Sequence, residues 1–254
     1  DMIKWMQFQL NNGINGKDTL FTKREQTTMW TPHVNYPVSD RAREVYGGRN
    51  FNGYGLGWGT TEYHGKQMVS HTGGYDGMYS AVTMLPTEKI GVVILTNTMD
   101  GIGTLLSYEI IDRLLGLPQQ DWKNRGINQD KGHWADRAAR IKERTDARIM
   151  GTKPSMDVVA ISGLYRCPLF GDIRILEENG KLTIDFVHSP QLKARLSHWH
   201  NDTYQLEWVE EQAWFEFGTV QIQMNNSGKP SGLLFDVPND DIFFEEIKAV
   251  RVTP

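Results

Sequence analysis

The chain has 254 residues, 39% of them hydrophobic and 23% charged, with a formal net charge of −4, enough for one large or two modest domains with cores of their own. A mean hydropathy of −0.48, with no apolar run near the roughly 20 residues that span a bilayer, excludes a membrane-spanning helix, and the charge balance gives no electrostatic reason to expect nucleic acid. The single cysteine, Cys167, excludes an intrachain disulfide framework and a multi-cysteine zinc site.

The chain opens on a helical pattern. Ile3, Met6 and Leu10 recur at i, i+3 and i+7, with Asp1 as the expected N-cap and Gly13 as the stop. This stripe needs a partner surface, and no initiator Met or signal sequence precedes it, so the chain is expected to be a fragment. Asn11-Asn12-Gly13 and Asn15-Gly16 are turn signals, and Thr22-x-x-Glu25 is a capping box opening a short helix that Pro32 ends. Residues 33–53, polar and carrying Pro37, Gly47 and Gly48, read as a long surface loop. Strands are expected at about 54–60, 66–71, 78–85 and 90–96, the last two joined by Pro86-Thr87-Glu88-Lys89 as antiparallel neighbours. Helical spacing returns over 101–115 through Ile102, Leu105, Leu106, Ile110 and Leu114, with Gly116 and Pro118 as the stop. Such a helix should pack on the sheet.

From 119 to 155 the composition turns polar, with one helical piece from Ala135 to Met150 whose Asp136, Arg137, Arg140, Lys142, Glu143 and Arg144 suit a solvated connector. Beyond Pro154 no further helix is expected. Short runs rich in β-branched and aromatic residues follow instead: Ile173–Leu176, Leu182–Val187, Ala194–His198, Tyr204–Trp208, Trp214–Phe217, Val220–Met224, Gly232–Phe235 and Ile242–Ile247. Short strands at about ten-residue spacing predict a separate all-β barrel or sandwich.

Chemistry concentrates in two glycine-rich stretches, Tyr54-Gly55-Leu56-Gly57-Trp58 and Val69-Ser70-His71-Thr72-Gly73-Gly74-Tyr75-Asp76-Gly77. Glycines this dense let backbone approach a ligand closely. His71 and Thr72 put a titratable ring and a hydroxyl at a strand end, beside Gly73 and Gly74; a plain glycine-rich hairpin is the competing reading. Tyr54, Gly57 and Trp58 suit close packing under a site better than substrate contact, and turn chemistry accounts for Asp76 after Tyr75. His198 and His200 share a strand face and could chelate a metal with Asp202 or His188, but the Asn201-Asp202 turn and a barrel rim explain them without one, so no metal and no cofactor is expected. Phe186, Trp199, Tyr204, Trp208, Trp214, Phe217 and Phe235 either line a small ligand cavity or fill the core.

Together with Ser80-Ala81-Val82-Thr83-Met84-Leu85-Pro86 and Gly91-Val92-Val93-Ile94-Leu95-Thr96-Asn97, these stretches make residues 1–117 resemble the carboxyl-terminal half of the catalytic domain in serine hydrolases of the penicillin-binding protein and class C β-lactamase superfamily. By this resemblance His71-Thr72-Gly73 stands where the family carries a Lys/His-Thr/Ser-Gly triplet on the strand lining its active site, and the Gly74 N–H is one oxyanion donor. The site residues implied are therefore His71, Thr72, Gly73 and Gly74. Neither the family's nucleophile motif, Ser-x-x-Lys, nor its second motif, Tyr-x-Asn or Ser-x-Asn, occurs anywhere in the chain, and the isolated chain is expected to lack hydrolase activity. His71 in place of lysine leans toward the esterase, amidase and peptidase-like branches.

Residues 156–254 also resemble a known module, the small lipocalin-like β-barrel appended to this family, through Gly163-Leu164-Tyr165, Gly171-Asp172-Ile173, Gly180-Lys181-Leu182 and Phe243-Phe244. The implied fold is α+β: a partial β-lactamase-like domain over 1–118, a linker with a helix over 119–155, and an all-β barrel over 156–254. The implied activity is hydrolysis of an amide or ester in a small-molecule or peptide substrate through an acyl-enzyme, in the periplasm or outside a bacterial cell. A sheet lacking strands at one edge should pair with another copy or with a missing N-terminal segment. The alternative is a noncatalytic binding or scaffold protein that uses the cleft wall or the barrel.

Overall fold

The computed structural model describes residues 1–252 other than 76, 100, 213 and 241. Two compact units make up the chain, residues 1–132 and 133–254.

The first unit begins with helix α1 (Met2–Leu10). Its inward face is Met6 and Gln9, while Ile3 is 62% exposed, so the stripe expected from spacing is rotated toward Gln9. Asp1 occupies the N-cap position without a side-chain capping bond. A small hairpin, β1 (Ile14–Asn15) and β2 (Asp18–Thr19), leads to α2 (Lys23–Trp30). The Thr22 capping box closes reciprocally: Glu25 N–H donates to Thr22 Oγ1 at 3.3 Å and Thr22 N–H donates to Glu25 Oε2 at 2.6 Å. Residues 33–53 are more ordered than their polarity suggested, holding β3 (Val34–Asn35), the short helix α3 (Asp40–Val45) and the start of β4 (Asn52–Tyr54). A Ser39 side chain that accepts from Ala42 N–H starts α3.

β5 (Gly59–Tyr63), β6 (Lys66–Tyr75), β7 (Met78–Leu85) and β8 (Ile90–Thr96) complete a six-stranded antiparallel sheet in the order β3-β4-β5-β6-β7-β8. Strand alternation splits its side chains between two cores. Met68, Leu85 and Val92 pack with Leu105, Tyr108 and Ile111 of α4 (Ile102–Leu115). Val69, Val82 and Met84 pack with Met6 of α1, Trp30 and Trp58 on the other face. Gly116, left-handed at φ 66°, ends α4 as expected from sequence. Helix α5 (Trp122–Asp146) starts well before Ala135. Asp121 accepts from Asn124 N–H at 3.1 Å, capping it, and buried Trp122 anchors it against Tyr46 and Tyr108.

The second unit adds a short helix, α6 (Val158–Ile161), and a closed eight-stranded antiparallel barrel. Its strands are β9 (Gly163–Cys167), β10 (Gly171–Glu178), β11 (Lys181–Phe186), β12 (Lys193–His200), β13 (Thr203–Trp208), β14 (Thr219–Met224), β15 (Pro230–Asp236) and β16 (Ala249–Arg251). β16 returns to pair with β9, Val250 opposite Arg166 and Arg251 opposite Tyr165, and so removes the free edges. Two of the expected strands are not strands. Trp214–Phe217 lies outside any ladder although Phe215 and Phe217 are buried, and Phe244–Glu246 is a 3-10 turn with Phe244 in the core. The closing strands are β9 and β16 instead.

Candidate active site

β6 is paired with β5 for only half its length. β5 runs beside it from Tyr63 opposite Lys66 to Gly59 opposite Ser70, whereas β7 continues alongside to Tyr75 opposite Met78. The β5–β6 hairpin turns through two residues, His64 and Gly65, both at positive φ, so Tyr63 and Lys66 exchange hydrogen bonds. Alternation from that pair directs the N–H and C=O of Ser70, Thr72 and Gly74 to the β5 side. Ser70 meets Gly59 there. Thr72 and Gly74 lie beyond the end of β5, and residues 71–75 are all exposed. Their polar backbone groups therefore line an open strand edge.

The neighbouring turn is held by close contacts. Gly55 N–H donates to Trp58 C=O at 2.7 Å and Leu56 N–H to Met29 C=O at 2.9 Å. A Cβ on Gly55 would stand 2.0 Å from that Met29 oxygen, so only glycine fits. Gly57 sits at φ 76°. Trp58 is buried, stacked on Trp5 at 5.3 Å and edge-on to Trp30 at 6.4 Å. It supports the turn from beneath. Tyr54, just before the turn, places its hydroxyl 2.9 Å from His71 Nε2.

His71, Thr72, Gly73 and Gly74 thus fall together on one exposed strand, with the N–H of Gly74 facing the open edge. The contact between Tyr54 and His71 was not foreseen. Seventeen residues and two strand pairings separate them, and no spacing rule carries that register. Tyr75 ends β6 with 73% of its surface exposed; Asp76 lies outside the described residues.

In the barrel, His198 Nε2 lies 2.9 Å from Asn201 C=O, and His200 Nδ1 accepts from Ile149 N–H at 3.2 Å. Asp202 accepts from both the N–H and the hydroxyl of Ser155. Each has a structural partner, and no group of three potential metal ligands exists among the described residues. Phe186, Tyr204 and Phe235 lie in the core, where Phe244 packs on Phe186 and Phe235, while Trp199 and Phe217 pair separately at 5.4 Å. Among the described residues, no helix is long and apolar enough to cross a membrane.

An antiparallel sheet with a helix on each face thus carries an exposed His-Thr-Gly-Gly run on an inner strand and is followed by a closed barrel, the arrangement that the resemblance to β-lactamase-like domains implies. Comparison with known families agrees: residues 1–114 match the beta-lactamase family and residues 147–251 match a domain of unknown function, DUF3471. Over 71 residues the chain is 41% identical to an unguisins hydrolase, ungD, of Aspergillus violaceofuscus. Over 75 residues it is 35% identical to a second unguisins hydrolase, of Aspergillus campestris. These stretches are 27% of this chain and span only 12% and 14% of the relatives' lengths. Among solved structures, the octameric penicillin-binding protein homologue from Pyrococcus abyssi aligns over 98% of this chain and 46% of its own, at 14% identity and a TM-score of 0.38. SurE aligns over 79% of this chain and 38% of its own, at 14% identity and a TM-score of 0.29. Both likenesses are too loose to bear on function.

Proposed function

We propose that this chain carries one wall of the active site of a serine hydrolase that cleaves an amide or ester through an acyl-enzyme. The open β6 edge is the observation that carries this reading. An extended acyl substrate can lie along it as an added strand, hydrogen-bonded to the backbone of Thr72 and Gly74, while His71 and Thr72 contact its polar end. The Gly74 N–H supplies one donor for the developing oxyanion. A serine Oγ attacks the carbonyl carbon and passes its proton through a base to the departing amine or alcohol; water then releases the acid and restores the serine. That serine and its lysine are not in this chain, so the chain alone is inactive. The unguisins hydrolases named above fit a hydrolytic reading. An exported location, periplasmic or extracellular, belongs to the same proposal, and fractionation of the source cells with an antibody to the barrel tests it.

The second reading is a noncatalytic binding protein using the same edge, a reading that the absence of Ser-x-x-Lys and of Tyr-x-Asn favours only on the condition that this chain is the whole gene product. Labelling with a fluorescent penicillin and a fluorophosphonate, on this chain and on the product of the complete reading frame, separates the two. Label on the longer product alone supports the hydrolase; no label on either leaves the edge as a binding surface.

A further inference from the structure

Tyr54 ends β4 at the corner where β5 stops, and its hydroxyl oxygen lies 2.9 Å from His71 Nε2, with ring centroids 6.1 Å apart and planes at 56°. A phenol O–H is a stronger acid than the N–H of a neutral imidazole, and an imidazole nitrogen is a much stronger base than a phenol oxygen. In the neutral pair the O–H of Tyr54 therefore donates and Nε2 accepts. An imidazole that accepts at Nε2 carries its own proton at Nδ1, the less populated arrangement for histidine free in water.

We infer that Tyr54 is a positioning residue that fixes the ring of His71 and holds it as the Nδ1–H tautomer, so that His71 meets a ligand as a hydrogen-bond donor and not as a base. The ring nitrogen that would accept a proton is engaged by Tyr54, and Nδ1 is the one left for a ligand. A carbonyl or carboxylate oxygen suits that donor; an ammonium group, which has no lone pair, does not. That this oxygen is a substrate acyl or carboxylate group rests on the hydrolase reading, whereas the tautomer does not.

Long-range 1H–15N correlation spectra of the 15N-labelled chain, recorded at about pH 8.5 where an ordinary imidazole is neutral, report the tautomer directly. His71 is assigned by the peaks lost in His71→Gln. The expected result is a protonated Nδ1 and an unprotonated Nε2 in the wild-type chain, with Tyr54→Phe moving the majority form to Nε2–H while amide shifts elsewhere stay in place. A wild-type His71 protonated mainly at Nε2, or a tautomer ratio unchanged by Tyr54→Phe, overturns the inference. Hydrolysis plays no part in this readout, so failure to label a serine leaves it standing, and a wrong tautomer leaves the hydrolase reading standing.

Discussion

Trp122 donates its indole N–H to the buried carboxylate of Asp112 at 2.7 Å. The phenol of Tyr63 donates to the other carboxylate oxygen, and burial, then this hydrogen bond, pushes the Tyr63 pKa well above the ordinary phenol range. Asp112 is 1% exposed, so a charged group from α4 is met by two neutral donors, one from the sheet and one from α5. Removing it as Asp112→Ala leaves both donors buried without partners. We expect a loss of about 2–4 kcal/mol in urea unfolding followed by tryptophan fluorescence. A loss under about 0.5 kcal/mol, the size of an ordinary surface substitution, would show that this network does not hold α5 to the sheet.

The turn beside the open edge has two glycines with different reasons to be glycine. At Gly55 a Cβ meets the Met29 carbonyl, whereas at Gly57 nothing lies within 4 Å and only the φ of 76° matters. Gly55→Ala should cost about 1–3 kcal/mol through overpacking and displace Tyr54 from His71. Gly57→Ala should cost about 1 kcal/mol for the left-handed backbone and leave that contact in place. Thermal melts with the His71 ring signals check both, and equal effects of the two substitutions would contradict the geometry.

Short-range pattern made much of the fold legible before any coordinates. Met78–Leu85 and Ile90–Thr96 were read at their observed bounds, because each is a short apolar run closed by a four-residue turn. His71 through Gly74 could be singled out because the site is contiguous in sequence at that point. What escaped depends on distant pairing. β9 and β16 close the barrel across more than eighty residues, and β16 shares only two residue pairs with β9. Trp214–Phe217 and Ile242–Ile247 looked like strands because buried aromatics give the same local signal whether or not a ladder forms. In the second of these, Asn239 Oδ1 accepts from Ile242 N–H at 2.6 Å and turns the chain instead.

Tyr204 is 3% exposed, and its hydroxyl has no hydrogen-bond partner among the described residues. Burial pushes its pKa up to about 12, with Asp202 adding to the effect. The folded barrel therefore keeps a proton that the unfolded chain releases near pH 10. The resulting stability is complete below that pH and is lost as pH rises toward 12. Tyr204→Phe should gain about 1 kcal/mol at neutral pH by removing an unsatisfied buried hydroxyl, and should flatten the alkaline limb of stability against pH. Destabilisation at pH 7 with an unchanged alkaline limb would refute both parts.

β8 ends the sheet with the sequence Ile90 to Thr96, which holds no charge and no proline, and Leu95 on it is 65% exposed. An apolar edge of this length pairs readily with another strand. We expect association that grows with concentration in light scattering, and a clear reduction in Leu95→Lys. A monomer at every concentration tested would show that this edge is guarded in some other way.

The half-paired β6 has a further consequence, for the rate at which its backbone amides trade hydrogen with solvent. At Val69 and Ser70 the strand has partners on both sides, and both amides are held. Beyond Ser70 the same strand should split into two interleaved populations. His71 and Gly73 point to β7 and exchange slowly, while Thr72 and Gly74 point to solvent and exchange almost as fast as in a loop. An acyl ligand lying along the edge would slow only the second set, so an exchange trace read residue by residue would record occupancy of the site without any turnover.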